Sequence, residues 1–227
     1  AEAYYILGVR EEVEEAHVYL GFQHPPECEE FRQVVEAQDL AAMESWFDRI
    51  RVRPGDVLFI PGGVPHAIGE GIFMVEIMEP SDLVVRFEFK REGYTLPESA
   101  RFMNRGLDYC LDIIDFGART ESQVRNENMF EPRLEIEYSP TAQRYDLVGA
   151  VTTPCFQVKK SVITGVVERE ERNYFTGVVT SGRCLLKAGK SEIALDTYGK
   201  FFCPAGIEKF TIEAEQEVQI LECFPPA

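Results

Sequence analysis

The stretch that decides the fold of this chain reads Gly55-Asp56-Val57-Leu58-Phe59-Ile60-Pro61-Gly62-Gly63-Val64-Pro65-His66. Residues 57–60 are apolar and β-branched at both ends, which indicates a short strand buried on both faces. The Pro-Gly-Gly that follows predicts a tight turn, because glycine accepts positive φ angles and proline fixes its own. The chain should then return as a strand from Val64 and aim the His66 imidazole between two sheets. An imidazole held by a rigid turn suits a metal site.

Charge and hydropathy exclude two kinds of partner. The chain has 227 residues and a formal net charge of -16, which argues against a nucleic-acid partner because phosphate backbones need Lys- and Arg-rich surfaces. No apolar run approaches the roughly 18 residues of a membrane span, so we expect no membrane partner. A small anionic substrate is compatible with this charge where a few basic residues converge. Composition leaves the oligomeric state open.

The cysteines and the start of the chain bear on location and completeness. Six scattered cysteines without a Cys-x-x-Cys pair fit neither a zinc ribbon nor a disulfide scaffold. We expect free, buried thiols in a reducing cytoplasm, and no signal peptide opens the chain. The first residue is Ala1, and strand-like residues follow at once. We therefore expect that residues of the natural N-terminus precede Ala1.

Hydrophobic periodicity predicts a mainly β chain with helical interruptions. Short helices are indicated within 27–47, with Asp39 as an N-cap. A capping box at Thr95 and Glu98 predicts a helix over 97–115, and 116–132 is a loop or a short helix. The remaining segments read as strands, which we place at 3–9, 17–22, 50–52, 57–60, 64–68, 72–78, 83–89 and repeatedly over 134–224.

The 55–66 spacing resembles the second metal-binding motif of the cupin superfamily, whose members are β-barrels or jelly rolls. Residues 2–86 resemble class I, zinc-dependent mannose-6-phosphate isomerases. The matching segments are 2–7, 18–22, 54–72 and 76–86, and the last of these, a glutamate followed by Ser81-Asp82 and Arg86, is the most specific. The resemblance continues more weakly through the rest of the chain.

This resemblance implies two cupin-like β-barrel or jelly-roll units. We expect a metal-binding unit over 1–95 with its helical insertion near 27–47, a helical linker over 96–132, and a second, degenerate unit over 133–227. Within the last, Gly199–Gly206 repeats the Gly55–Gly63 pattern one residue shorter, and Glu208 and Lys209 stand where the histidine would be. The second unit should therefore lack the metal ligand.

The resemblance also implies one zinc ion per chain and assigns residues to it. The glutamate ligand of the family corresponds to Glu2 and its last histidine to His66. The family's Gln-x-His ligand pair lies upstream of that glutamate, so we expect it before Ala1. The segment Gln23-His24-Pro25 looks similar but lies on the wrong side of Glu2, and we interpret it as a loop.

The implied reaction interconverts mannose 6-phosphate and fructose 6-phosphate through a metal-stabilised enediol. By resemblance Glu76 is the candidate base or proton relay, and Arg86 the candidate cation for the phosphate or the enediolate. Lys90 and Arg91 are candidate substrate-binding residues. Without the resemblance, Glu76 reads as an ion pair at a strand end, and Arg86 as a partner of Asp82 or Glu88.

Two departures from the family pattern leave other functions open. Ile68 replaces an aromatic residue common two positions after the ligand histidine, and Glu92 replaces a basic residue common six positions after the arginine. A non-catalytic or regulatory cupin that binds a sugar phosphate is therefore the main alternative. An iron-dependent cupin oxygenase is another, since histidines with one carboxylate also suit iron(II).

Overall fold

A computed structural model describes residues 1–81, 83–207 and 209–226. The chain forms two compact units. The first unit comprises Glu2–Val75 and Pro80–Met129, and the second comprises Ala1, Glu76–Glu79 and the residues from Phe130 onward. In the described residues, no helix is both long and apolar enough to cross a membrane.

Short strands and helices alternate up to Phe130. The strands are β1 (Glu2–Val9), β2 (His17–Leu20), β3 (Ile50–Arg51), β4 (Val57–Ile60), β5 (His66–Ile68), β6 (Ile72–Met78), β7 (Lys90–Arg91), β8 (Tyr94–Thr95) and β9 (Met129–Phe130). The helices are α1 (Cys28–Ala37), α2 (Leu40–Glu44), a 3-10 turn (Glu98–Ala100), α3 (Gly106–Leu111) and α4 (Glu121–Asn128). The sheets have the orders β6-β1-β4-β9 and β3-β2-β5, and β7 pairs with β8.

Strand β4 lies at the centre of the first unit's core. All four of its residues are buried, as the apolar run predicts. It pairs antiparallel with β1, and Glu2 lies opposite Ile60 in this register. Leu58 and Ile60 pack in one cluster with Tyr4, Ile6 and other buried side chains. Burying aliphatic side chains of this size stabilises the fold by roughly 1.5–3 kcal/mol each. This packing holds β1 and β4 together, and with them Glu2 and Ile60 at their paired ends.

The helical insertion predicted near 27–47 is confirmed. Helix α1 buries Phe31 and Val35, and the Phe31 ring stacks on Trp46 with 5.2 Å between centroids. Asp39 caps α2, because its carboxylate accepts a hydrogen bond of 3.1 Å from the Ala42 amide. An N-cap of this kind satisfies a backbone donor that the helix itself leaves unpaired.

The continuous helix predicted over 97–115 is wrong. Met103, Asn104 and Gly106 have φ angles of 54°, 56° and 80°, and this left-handed backbone separates the 3-10 turn from α3. The predicted capping box is also wrong, since no side chain caps the 3-10 turn. The capping box lies instead at Thr120 and Gln123, at the start of α4, in the segment for which the sequence allowed a loop or a short helix.

The strand predicted over 83–89 is wrong as well. In the described part of this segment, Val85 forms a single β-bridge with Phe102, and Leu83 is 77% exposed. Its apolar residues Phe87 and Phe89 pack on the helical insertion instead. Asp82, which the sequence offers as a partner of Arg86, lies outside the described residues.

The second unit is a single sheet in which the longest strand, at the end of the chain, pairs with three other strands. Its strands are β10 (Arg133–Ser139), β11 (Ala142–Val148), β12 (Gln157–Glu170), β13 (Phe175–Ser181), β14 (Arg183–Ala188), β15 (Ser191–Asp196), β16 (Lys200–Cys203) and β17 (Lys209–Phe224). The order is β10-β11-β12-β17-β13-β16, and β14 pairs with β15 and β17. The mainly β fold predicted from the sequence is thereby confirmed. Among the described strands, neither unit's pairings close a barrel.

A buried ionic network lies inside the second unit. The side chains of Arg169 and Glu222 are both fully buried and paired, with 3.0 Å between Nη2 and Oε2. The Ser161 hydroxyl also donates to Glu222, over 2.7 Å, and Glu171 accepts from Arg169 over 2.6 Å. Burial alone would lower the pKa of Arg169, but the attraction and hydrogen bonding of Glu222, together with Tyr138 and Glu171, outweigh burial and raise that pKa. Arg169 therefore keeps its charge.

All six cysteines are free, as predicted, but the prediction that they are buried is wrong for Cys28. Cys110, Cys184 and Cys203 are buried, whereas Cys28 on α1 is exposed. Burial raises the pKa of Cys184 to about 11 and that of the half-buried Cys223 to about 12. Because the thiolate is the reactive form, these two thiols are chemically quiet near neutral pH.

Candidate active site

The turn before His66 is held by two independent constraints. Gly63 has a φ of +84°, and a Cβ at this position would lie 2.6 Å from the Ile113 carbonyl oxygen. Glycine is therefore required both by the backbone angle and by the close approach. The Asp115 amide also donates a hydrogen bond of 2.9 Å to the Gly63 carbonyl. The 113–115 segment thus fixes the path of the chain into β5.

This turn places His66 against Glu2. The His66 Nε2 lies 3.0 Å from the Glu2 Oε1, and the two side chains are 28% and 21% exposed. Strand geometry explains the contact, since Glu2 begins β1 at the end of β4 that leads into the turn. Two residues far apart in sequence are thereby brought together at a site that solvent can reach.

Both nitrogens of the His66 ring face oxygen atoms. Nδ1 lies 3.0 Å from the Val64 carbonyl oxygen, and Nε2 faces the Glu2 carboxylate. A neutral imidazole can donate through only one of its nitrogens. If Nδ1–H donates to the carbonyl, the Nε2 lone pair points toward the carboxylate oxygen, and these two electron-rich atoms repel each other. A proton or a metal cation between them removes this repulsion. A backbone carbonyl on the far nitrogen is the usual way to orient a metal-binding histidine.

The donor atoms fit a divalent metal, although they supply only part of its coordination. Two ligand atoms on one tetrahedral zinc ion lie roughly 3.3 Å apart, given bond lengths of about 2.0–2.2 Å. The 3.0 Å between His66 and Glu2 is close to that separation. Within residues 1–81, 83–207 and 209–226, no group of three or more His, Cys, Asp or Glu side chains is arranged to hold a metal ion.

Tyr4 contacts both Glu2 and His66. Its hydroxyl donates a hydrogen bond of 3.2 Å to the Glu2 Oε2, and its ring meets the His66 ring edge-on at 6.1 Å between centroids. The sequence analysis did not single out this residue. The signal was available, because residues two apart on a strand share a face, so Tyr4 had to point the same way as Glu2.

The segment Gln23-His24-Pro25 has local contacts. The Gln23 Oε1 accepts a hydrogen bond of 2.7 Å from the Asp48 amide. The His24 Nε2 lies 3.1 Å from the Asp48 Oδ1, and the His24 side chain is 63% exposed. These contacts tie the segment to the end of the helical insertion, in keeping with its interpretation as a loop.

Arg86 lies on an irregular segment and binds backbone carbonyls. Its amide donates to the Arg101 carbonyl over 2.8 Å, and its Nη1 donates to the Ala100 carbonyl over 3.0 Å. Glu88, offered above as a partner of Arg86, pairs with Arg91 through two hydrogen bonds of 2.7 Å.

The remaining candidates lie on exposed strand positions. Lys90 and Arg91 form β7, and both are exposed. The hydrogen bonds that Arg91 donates to Glu88 raise the pKa of Arg91, so the guanidinium is charged but already engaged. Glu76 is an exposed residue of β6 and belongs to the second unit. The contacts described here join Glu2 with His66, and the roles of Glu76, Arg86, Lys90 and Arg91 stay predictions.

Comparison with known proteins points to one group of enzymes. A probable mannose-6-phosphate isomerase of Bacillus subtilis is 25% identical over 223 residues, which is 96% of this chain and 63% of that protein. A mannose-6-phosphate isomerase of Streptococcus mutans is 24% identical, over 84% of this chain and 54% of its own length. The chain thus spans between about half and just under two thirds of the length of these curated relatives. No protein-family model matches it.

Solved structures agree on the fold. The mannose 6-phosphate isomerase from Bacillus subtilis superimposes with a TM-score of 0.72 at 20% identity, over 97% of this chain and 63% of that one. A putative mannosephosphate isomerase from Archaeoglobus fulgidus gives a TM-score of 0.67 at 17% identity, over 100% and 61%. The chain is therefore similar in sequence to proteins named mannose-6-phosphate isomerases, and it shares their fold.

Proposed function

We propose that this chain carries the metal centre of an aldose–ketose isomerase that acts on mannose 6-phosphate. The observation that carries the proposal is the contact between His66 and Glu2 at 3.0 Å, formed by a strand–turn–strand segment in a fold that curated mannose-6-phosphate isomerases share. The carboxylate and the imidazole are metal-binding groups, and both are partly open to solvent.

The chemistry assigns a task to each candidate residue. Isomerisation moves a proton between two adjacent sugar carbons through an enediol. A bound zinc ion would supply Lewis acidity toward the sugar oxygens at these carbons. Glu2 and His66 would hold that ion, and Glu76 would transfer the proton as a general base. Arg86 would bind the phosphate or the anionic oxygen of the enediolate.

If both cations of the 90–91 hairpin bind the phosphate, one of them must give up an existing ion pair. Arg91 is bound through two hydrogen bonds to Glu88, so a phosphate would have to compete with that carboxylate. Lys90 is exposed and is the more available of the two cations. For this reason Arg86 and Lys90 are the better candidates for the phosphate, and the identity of the sugar rests on the relatives. A cytoplasmic location stays a prediction.

The test pairs a metal titration with a turnover assay. We expect the zinc-supplemented chain to convert mannose 6-phosphate to fructose 6-phosphate in a coupled assay. The variant His66→Ala should weaken zinc binding at least about 100-fold by calorimetry, because it removes a direct ligand. The matched control is His24→Ala, which removes an exposed histidine paired with Asp48 and should leave zinc affinity unchanged.

Each outcome of this test bears on one part of the proposal. Equal zinc affinity for the His66→Ala and His24→Ala variants would exclude the metal site. Tight binding of mannose 6-phosphate without turnover would favour the non-catalytic, sugar-phosphate-binding alternative. Oxygen uptake with bound iron would favour an oxygenase. If Glu76→Gln and Arg86→Gln turn over at the rate of the parent chain, the roles assigned to those two residues are wrong.

A further inference from the structure

We propose that Tyr4 is a positioning residue that holds Glu2 and His66 in the arrangement required by a metal ion. The inference rests on the proposed function and adds to it a residue that binds neither metal nor substrate. Its basis is that one buried side chain contacts both members of the pair through different atoms.

Tyr4 is fixed by its place in the core. It lies in β1 opposite Leu58 of β4, is only 4% exposed, and packs with Ile6, Leu58 and Ile60 in the first unit's hydrophobic cluster. A buried aromatic ring in a packed core has few rotamers open to it. The atoms that Tyr4 presents to the site are therefore in defined positions before any ligand arrives.

The two contacts act on different parts of the site. The Tyr4 hydroxyl donates to the Glu2 Oε2 over 3.2 Å, which leaves the other carboxylate oxygen, Oε1, facing the His66 Nε2 at 3.0 Å. The Tyr4 ring packs edge-on against the imidazole, with a 65° angle between the planes. The hydroxyl thus selects the oxygen that Glu2 offers, and the ring limits rotation of the imidazole.

This arrangement lowers the entropic cost of binding a metal. Glutamate has several rotatable bonds, and ordering such a side chain on binding costs about 0.5–1.5 kcal/mol. The Glu2 side chain is 21% exposed, so it has room for more than one rotamer. A hydrogen bond from a buried hydroxyl restricts this choice in advance. Partners of this type around metal sites typically change metal affinity by about 10–100-fold when they are removed.

The test is the variant Tyr4→Phe, which removes the hydroxyl and keeps the ring. We expect zinc affinity measured by calorimetry to fall about 10–100-fold, and the visible spectrum of the Co²⁺-substituted chain to change. The matched control is Tyr5→Phe, which alters the neighbouring residue on the opposite face of the strand. It should leave zinc affinity within about threefold of the parent value.

Two further measurements separate positioning from a merely structural role. A structural role would lower the unfolding temperature of the Tyr4→Phe variant equally with and without zinc, whereas positioning should reduce the gain that zinc provides. In a Glu2→Gln background, Tyr4→Phe should have little further effect on zinc affinity, because Tyr4 acts through the carboxylate.

The outcomes distinguish this inference from the proposed function. If Tyr4→Phe binds zinc as tightly as the parent while His66→Ala does not, Tyr4 has no positioning role and the metal site stands. If His66→Ala also binds zinc normally, the proposed site itself is wrong. A Tyr4→Phe effect of the same size in the Glu2→Gln background would likewise overturn the inference, because the effect would not pass through Glu2.

Discussion

Each unit contains a proline–glycine turn closed by a hydrogen bond of the same type, and the two turns lead to different side chains. In the first, the Val64 amide bonds to the Pro61 carbonyl over 3.3 Å, and in the second the Ile207 amide bonds to the Pro204 carbonyl over 3.1 Å. The residue five positions after the proline is His66 in one case and Lys209 in the other. The repeated proline–glycine pattern therefore closes both turns, although Gly63 has a positive φ angle and Gly206 does not. The residue after the turn determines the chemistry.

The partners of these two residues differ in the same way. The His66 imidazole lies against the Glu2 carboxylate. An imidazole nitrogen can bind a metal cation, whereas an ammonium has no lone pair to offer one. Lys209 is 61% exposed and pairs with Glu168 and Glu170. Glu208, the other residue that the sequence places there, lies outside the described residues.

The charged groups also contrast in burial. The pair of the first unit is open to solvent, and the Arg169–Glu222 pair of the second is fully buried. A fully buried ion pair is closed to ligands, and removing one partner leaves an uncompensated charge. Charge in the first unit is thus available for binding, while charge in the second is committed to the fold.

The largest effect should come from breaking the buried pair. The variant Glu222→Gln should lower the free energy of unfolding by about 3–5 kcal/mol, because Arg169 would stay buried without its main counter-charge. Urea denaturation at neutral pH measures this loss. The matched control, Glu168→Gln, removes an exposed partner of Lys209 and should cost less than about 1 kcal/mol. Equal losses in the two variants would remove the contrast between the units.

An intermediate effect should follow from altering the first unit's turn. The variant Gly63→Ala should lower the free energy of unfolding by about 1–3 kcal/mol, because alanine is strained at a φ of +84° and its Cβ would meet the Ile113 carbonyl. The neighbouring variant Gly62→Ala is the control, since no atom lies within 4 Å of a Cβ added there. If thermal unfolding finds both variants alike, the 113–115 segment does not constrain the turn.

The smallest expected effect is on the stability of the fold in acid, and it comes from Asp115 beside the turn. A hydrogen bond from Arg119, and then one from the Gly117 amide, lower the pKa of Asp115 below its ordinary value of 3.8. The unfolded chain then binds more protons between the two values, so the stability from Asp115 is present above 3.8 and is lost as the pH falls through the lowered pKa. The variant Asp115→Asn lacks this contribution, so its free energy of unfolding should fall less steeply in acid. Parallel pH curves for parent and variant would contradict this.

Strong local signals were read correctly from the sequence. The apolar run of β4, the helical insertion and the cap at Asp39 depend on neighbours along the chain, and the structure has each of them. The motif also indicated that His66 would sit beside a turn. That Glu2 would meet it followed from a family resemblance, since no local rule links residues 64 positions apart.

Tertiary contacts account for what the sequence did not reveal. The segments around 83–89 and 97–115 have apolar patterns that suit a strand and a helix. Their residues instead pack on the aromatic cluster of Phe31 and Phe87, and the backbone turns left-handed at Met103 and Asn104. Packing of this kind outweighs local propensity. The buried pair of Arg169 and Glu222 could not be predicted either, because the two residues lie on different strands and are 53 positions apart in sequence.

The distribution of thiols makes the chain a convenient subject for labelling. Cys28 is exposed on α1, whereas burial raises the pKa of Cys184 to about 11 and that of Cys223 to about 12. Because alkylating reagents attack the thiolate, a maleimide dye at mild pH should attach first to Cys28. A fluorophore on the helical insertion would then report on ligand binding from a position outside the chemistry.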